Sequence, residues 1–160
     1  YCSEINLMMT AWLASIAQSL QQGVLLLIDY GFPRHEYFHA QRSMGTLMCH
    51  YQHRAHSDPF WCPGLQDITA HIDFTAVAEA ATENQLDVLG FTTQAAFLLN
   101  NKILELANSE HDQQRWRIVQ KIQQLIAPQE MGELFKVMAL GKNFHAPLPA
   151  FEFKDMLDRL

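Results

Sequence analysis

Along the first twenty residues, apolar side chains fall at Ile5, Met8, Met9, Trp12, Leu13, Ile16, Ala17 and Leu20. This i, i+3, i+4, i+7 spacing predicts an amphipathic helix over 5–20, and Gly23 supplies its stop. Residues 23–31 then read Gly-Val-Leu-Leu-Leu-Ile-Asp-Tyr-Gly, a continuous apolar run closing on Asp29-Tyr30-Gly31. Such a run predicts a strand buried on both faces, as in a sheet covered by helices. Helix followed by strand is the grammar of an α/β fold, here a mixed sheet with helices between its strands. Strict polar–apolar alternation appears at 67–74, Asp-Ile-Thr-Ala-His-Ile-Asp-Phe. On a single strand Asp67, Thr69, His71 and Asp73 would share one face. Asp73 is also placed to cap the alanine-rich helix predicted over 75–84.

The remaining pattern fills in around these elements. Residues 32–42 read as a loop with one helical turn, 46–52 as a second strand, and 54–64 as a surface loop carrying Asp58-Pro59 and Cys62-Pro63-Gly64. A short strand is predicted over 86–91 and a helix over 94–107. Ser109 or Asp112 is the expected cap of the next helix, where Trp116, Val119, Ile122, Leu125 and Ile126 repeat at helical spacing before Pro128. A last strand over 134–140 closes at Gly141, and the residues after Pro147 form a tail that must dock to be ordered.

Composition narrows the function classes. With 160 residues and 49% hydrophobic content the chain can bury a sizeable core. Its net charge is −6 and its eleven Lys and Arg are scattered, which argues against a surface for a phosphate backbone, so no nucleic-acid partner is expected. The longest apolar run, 24–28, falls far short of the roughly 20 residues of a membrane-spanning helix. Three cysteines are an odd count and suggest no disulfide framework, which fits a reducing cytoplasm. The chain opens on Tyr1 and enters a helical pattern at once, so it is expected to be a piece of a longer protein. It contains no G-x-G-x-x-G, P-loop or G-x-S-x-G, and so encodes neither a dinucleotide site nor a hydrolase elbow.

Two groups of residues could carry chemistry. Asp29-Tyr30-Gly31 lies where a buried strand ends, and ligands of open α/β sheets gather outside the carboxyl ends of strands. The same tripeptide serves equally as a turn. Asp67, Thr69, His71 and Asp73 would align carboxylates with an imidazole, suited to holding a guanidinium and removing its proton; alternatively they hydrogen-bond backbone at a loop-to-helix junction. His50, His53 and His56, with Cys49, Cys62 and His71 near in sequence, raise the question of a metal. On a strand His50 and His53 point to opposite faces and no ligand spacing is present, so no metal is expected.

Five stretches together resemble one family: Leu26-Leu-Ile-Asp-Tyr-Gly31, Gly45-Thr-Leu-Met48, Gly64-Leu-Gln-Asp-Ile-Thr-Ala-His-Ile-Asp-Phe74, Leu89-Gly-Phe-Thr-Thr-Gln94 and Met131-Gly-Glu-Leu-Phe-Lys136. In this order they resemble the MidA-like S-adenosylmethionine-dependent methyltransferases, whose mitochondrial member is an arginine methyltransferase assisting respiratory complex I assembly. The resemblance implies the C-terminal half of a class I, Rossmann-like methyltransferase domain. Residues 24–28 would be strand five, 86–91 strand six and 134–140 an antiparallel strand seven, with an insertion at about 32–74. The glycine-rich turn and the acidic residue that hold the cofactor in this fold belong to the other half, so the 160 residues alone are expected to be inactive.

For the full-length protein the resemblance implies S-adenosylmethionine as cofactor and protein-arginine methylation as activity. Asp67, His71 and Asp73 would be catalytic, Thr69 and His50 would touch substrate, and Asp29 and Tyr30 would border the cofactor cleft. The implied acceptor is a protein such as a respiratory complex I-type subunit, in the bacterial cytoplasm or, in a eukaryote, the mitochondrial matrix. An exposed sheet edge implies a homo-oligomer. Two other readings stay open: a partner-docking module without catalysis of its own, and a metal-binding domain using His50, His53, Cys62 and His71.

Overall fold

The first helix is shorter than its apolar spacing predicts, because the residues before it are engaged elsewhere. In the computed structural model, which describes residues 1–108 and 112–160, α1 covers Met9–Ser19. The Asn6 side chain accepts a hydrogen bond from the Met8 amide at 3.2 Å, a local bond that competes with helix formation. Upstream, the Glu4 carboxylate accepts from the amides of Thr46 and Leu47 at 2.9 and 3.0 Å and from the Thr46 hydroxyl at 3.0 Å. The Cys2 amide donates to the Ser43 carbonyl at 2.8 Å. The first eight residues are therefore an arm strapped across residues 43–47.

The apolar run forms β1 (Gly23–Phe32), longer by four residues at its end than the predicted core of the strand. Its main partner is β7 (Phe135–Lys142), antiparallel from Gly23↔Lys142 to Tyr30↔Phe135. β6 (Asp87–Thr93) pairs antiparallel with the other edge of β7, so β1 and β6 run parallel with β7 reversed between them. That antiparallel last strand is what the resemblance implied. β7 continues through Gly141, where closure of the strand was expected.

Two expectations fail in the inserted region. Residues 67–74 are not one strand. Asp67–Thr69 form β4, antiparallel to β2 (Met48–Tyr51) in a small sheet, whereas Ile72–Asp73 form β5, parallel to the end of β1 through Gly31↔Ile72 and Phe32↔Asp73. The shared face proposed for Asp67, Thr69, His71 and Asp73 is thus broken at Ala70-His71, where the chain passes from one sheet to the other. Gly31 permits the second pairing: a Cβ there would stand 2.3 Å from the Ile72 carbonyl oxygen. The expected loop over 54–64 also begins as a strand, β3 (Arg54–His56), because Gln52 and His53 both adopt positive φ, 48° and 63°, and close a two-residue hairpin with β2. The helical turn expected within 32–42 is α2 (Arg34–Tyr37).

Asp73 caps α3 (Phe74–Glu83), accepting from the Ala76 amide at 3.1 Å as its sequence position predicts. α1 and α3 cover one face of the sheet, where Leu13, Ala17, Phe74 and Val77 pack against Met138 and Leu140. On the other face Val137 and Ala139 meet Phe151, Phe97 and Leu148. The predicted helix over 94–107 divides into α4 (Gln94–Asn100) and a 3-10 segment, Ile103–Asn108. The Asn101 side chain donates to the Phe97 carbonyl at 2.8 Å and Lys102 turns to φ 57°, ending the helix. α5 (Asp112–Ile126) stops before Pro128 as expected; the proposed cap Ser109 and the side chain of Asp112 lie outside what is described. β1 departs from burial on both faces, with Leu26 and Ile28 46% and 52% exposed, because among the described residues no strand pairs its outer edge before Gly31.

The tail docks, as its apolar residues require. Met156 donates its amide to the Phe91 carbonyl at 2.7 Å, and Phe151 lies against Gly90, where a Cβ would come within 2.4 Å of the ring. Gly90→Ala should lower stability in chemical denaturation by about 1–3 kcal/mol through overpacking, and Phe151→Leu in the same chain should recover part of the loss. The arm is expected to be pH-sensitive. Burial opposes ionisation of Glu4, but the hydrogen bonds from Thr46 and Leu47 outweigh it and hold the carboxyl below its ordinary 4.5. Its contribution is then complete above that value and is lost as pH falls through the lower, folded-state pKa. Glu4→Gln should destabilise at pH 7, and the gap to the parent should close below pH 4.5 in melting curves recorded across pH.

Candidate functional site

β1 and β6 end on the same edge of the sheet at which β7 begins, and that edge collects Tyr30, Phe32, Thr93, Phe135 and Lys136. The turn between β4 and β5 delivers His71 to it. The imidazole stacks on Phe32, centroids 5.1 Å apart and planes 19° from parallel, and meets Tyr30 edge-on at 5.1 Å. Tyr30 in turn contacts Phe135 at 5.4 Å. The His71 amide donates to the Thr46 hydroxyl oxygen at 3.0 Å, tying the turn to the same Thr46 that anchors the Glu4 arm.

His71 Nδ1 is buried and has no hydrogen-bond partner, a state that costs free energy unless a ligand supplies one. Burial pushes the imidazole pKa below its ordinary 6.5 and Arg42 adds to the effect; a hydrogen bond with the Thr46 backbone and the charges of Asp29 and Glu4 pull the other way without prevailing. That direction favours the neutral ring, the form able to accept a proton.

His71 lines a cleft of about 550 Å³ together with the carboxylate-bearing Glu4 and Asp73 and the rings of Tyr37 and Phe38. A second cleft of about 480 Å³ adjoins it through Asn6, Met9 and Ile72 and runs along the open edge of β1, walled by Trp12, Leu26, Ile28 and Asp29. Asp29 is half-buried and accepts the amide of Tyr30 at 2.8 Å.

The other predicted residues separate from His71. Asp73 has both oxygens occupied: besides the cap to Ala76, it receives Arg34 Nε at 3.2 Å, and the same guanidinium grips Glu79 with two further bonds at 2.6 and 2.5 Å. The bonds to Glu79, followed by those to Asp73, raise the Arg34 pKa against the opposing effect of burial. Asp67 and Thr69 lie on the small sheet, where Asp67 stands directly across from His50 and Thr69 from Met48. His50, His53, Cys62 and His71 do not converge; among the described residues no three His, Cys, Asp or Glu are placed to hold a metal ion.

Several site residues carried no readable signal. Glu4 and Thr46 meet across 42 positions, and Arg34 reaches Asp73 across 39, separations that leave no local pattern. Lys136, 6% exposed with its amine on the carbonyls of Glu133 and Leu134, was visible only as part of Met131-Gly-Glu-Leu-Phe-Lys136.

Residues 1–92 match the family of S-adenosyl-L-methionine-dependent methyltransferases. Two crystal structures of superfamily proteins from Burkholderia thailandensis are 45% identical to the chain over 99% of its length, with TM-scores of 0.95 and 0.92; the second is bound to S-adenosyl-homocysteine. The chain covers 43% and 42% of those proteins. The mitochondrial protein arginine methyltransferase NDUFAF7 of Danio rerio is 29% identical over 143 residues, 87% of this chain and 31% of that protein. The rat counterpart is 32% identical over 125 residues, 74% of this chain and 26% of its own length. The chain thus spans about a third or less of the curated relatives it matches. No described helix is long and apolar enough to cross a membrane. With more than half of its residues under the family match and nearly all of them on a superfamily structure, the chain belongs to the S-adenosylmethionine-dependent methyltransferases of the MidA-like type.

Proposed function

We propose that this chain is the C-terminal, substrate-side half of a class I methyltransferase domain, comprising strands five to seven with an insertion at about 32–74, and that the full-length protein methylates arginine in proteins. One observation carries the reading: an imidazole with an unpartnered buried nitrogen lines a cleft beside two aromatic rings. Aromatic faces receive a guanidinium, and a neutral imidazole accepts its proton. S-adenosylmethionine, held mainly by the other half of the full-length domain with Asp29 and Tyr30 at the border of its cleft, would supply an activated methyl group. Within the cleft His71 takes up the proton that the acceptor nitrogen sheds as it gains that methyl. Asp73 acts as a positioning residue, since its oxygens are held by Ala76 and Arg34. Asp67, Thr69 and His50 form a rim on the small sheet that meets the polypeptide around the target arginine.

The relatives named as protein arginine methyltransferases support the substrate class. A respiratory complex I-type subunit is the acceptor implied by the sequence resemblance, in the bacterial cytoplasm or the mitochondrial matrix. The open edge of β1 is closed by the remaining sheet of the full-length domain, and in the isolated chain by a second copy. A partner-docking role without catalysis draws on a different feature: Phe60 and Leu65, 85% and 72% exposed, in the insertion.

The test uses the full-length polypeptide, labelled S-adenosylmethionine and an extract from cells lacking the enzyme. Labelled methylarginine is expected in the extract proteins. His71→Ala should cut the rate by about 100-fold, the scale of a lost general base, while calorimetry shows S-adenosylmethionine binding unchanged. Label on another residue type would overturn the substrate class, and full activity of His71→Ala would overturn the role of His71. Because the base works deprotonated and its pKa is lowered, the rate should be flat at pH 7 and fall with acid only below 6.5.

A further inference from the structure

The aromatic stack that carries His71 extends beyond the cleft. Phe32, on which the imidazole lies, also receives the guanidinium of Arg42, whose central carbon is 4.0 Å from the ring centroid. Arg42 comes from the 3-10 turn Ala40–Arg42 and is fixed at its far end by a hydrogen bond to the Glu36 carbonyl. That partner is a backbone oxygen, and among the described residues Arg42 enters no salt bridge, so its charge is not cancelled. One phenyl ring therefore serves an uncompensated cation and an imidazole together. Lys136 Nζ also lies over this ring, 5.7 Å from its centroid, so a proton on the imidazole would add a further positive charge beside a ring that already faces two cations.

We propose that Arg42 is a positioning residue for His71, acting through Phe32: the guanidinium clamps the ring, the ring sets the plane of the imidazole, and the fixed charge disfavours a further positive charge beside it. The inference rests on the reading of His71 as proton acceptor, but it concerns a property of the ring that can be measured without any methyl transfer.

The other groups around the imidazole make the expectation specific. From β1 come Asp29 and Tyr30, from the N-terminal arm Glu4, and from the turn before β2 the backbone of Thr46. Lys136 at the start of β7 lies 5.7 Å from the Phe32 ring. Burial disfavours the charged ring most, and the Thr46 backbone favours it. Arg42 disfavours it, and Asp29 and Glu4 favour it. With Arg42 neutralised, two carboxylates face the ring with no arginine against them, and the imidazole should gain its proton more readily.

The experiment is a histidine-labelled NMR titration of the full-length protein. In Arg42→Met, which keeps bulk and removes charge, the His71 midpoint should rise toward 6.5, the ordinary value. Arg42→Gln provides a second neutral variant should the first not fold. Arg42→Lys, which restores the charge, should bring the midpoint back down. In a Phe32→Leu background, Arg42→Met should move the His71 midpoint less than it does in the parent, the sign that the guanidinium acts through the ring. A midpoint unchanged in the neutral variants, or a lysine variant that behaves like them, would overturn the proposal. Full methylation by His71→Ala would sink the proton-acceptor reading while leaving the titration result standing, so the two failures are distinguishable.

Discussion

Strand β7 pairs along both its edges and is closed off from water, and this double pairing is the constraint on which the other elements hang. Val137, Met138, Ala139 and Leu140 have no exposed surface. Their alternation sends Met138 and Leu140 into the core under α1 and α3, and Val137 and Ala139 into the core under α4 and the docked tail. Burying side chains of this size is worth about 1.5–3 kcal/mol each for the larger ones, and a slip of one residue would reverse every one of them. The register is accordingly firm, and it carries a functional consequence. Asp29↔Lys136 and Thr93↔Lys136 are ladder partners, so the carboxyl edge of the sheet is aligned by its hydrophobic middle.

The elements governed by local chemistry were legible in the sequence. The apolar run after Gly23, the helix capped by Asp73 and the end of α5 before Pro128 each follow from signals contained within a few residues. What could not be read depends on partners distant in the chain. The alternation at 67–74 is real, but it does not say that β4 will pair with β2 and β5 with β1, and so it does not reveal that His71 sits at the crossing between sheets. The arm before α1 has helical spacing, yet Glu4 is drawn to Thr46 and the helix gives way. The hairpin closed by Gln52 and His53 lacks the Asn or Gly that usually marks such turns.

The candidate site shows the same division. His71 and Asp29, singled out by position, line two adjoining clefts, but the environment that gives the imidazole its character comes from residues with no motif of their own: Phe32, Arg42, Thr46 and Glu4. Asp73 has a settled place between a helix cap and a guanidinium of its own chain. An alternating pattern can nominate charged residues; only the paired structure tells which of them remain available to a ligand.

The pairing of Gly31 with Ile72 also bears on how this protein can change over time. The chain leaves the main sheet at the end of β1 and rejoins it one strand over, so everything between is a detour whose two ends are held side by side. The entropy of closing such a loop rises slowly with length, by about 0.6 kcal/mol per doubling. Residues 32–72 can therefore lengthen, shorten or exchange their outer surface with little effect on the sheet. His71, planted at the return point, stays in register while the exposed part of the insertion, with Phe60 and Leu65, is free to diverge.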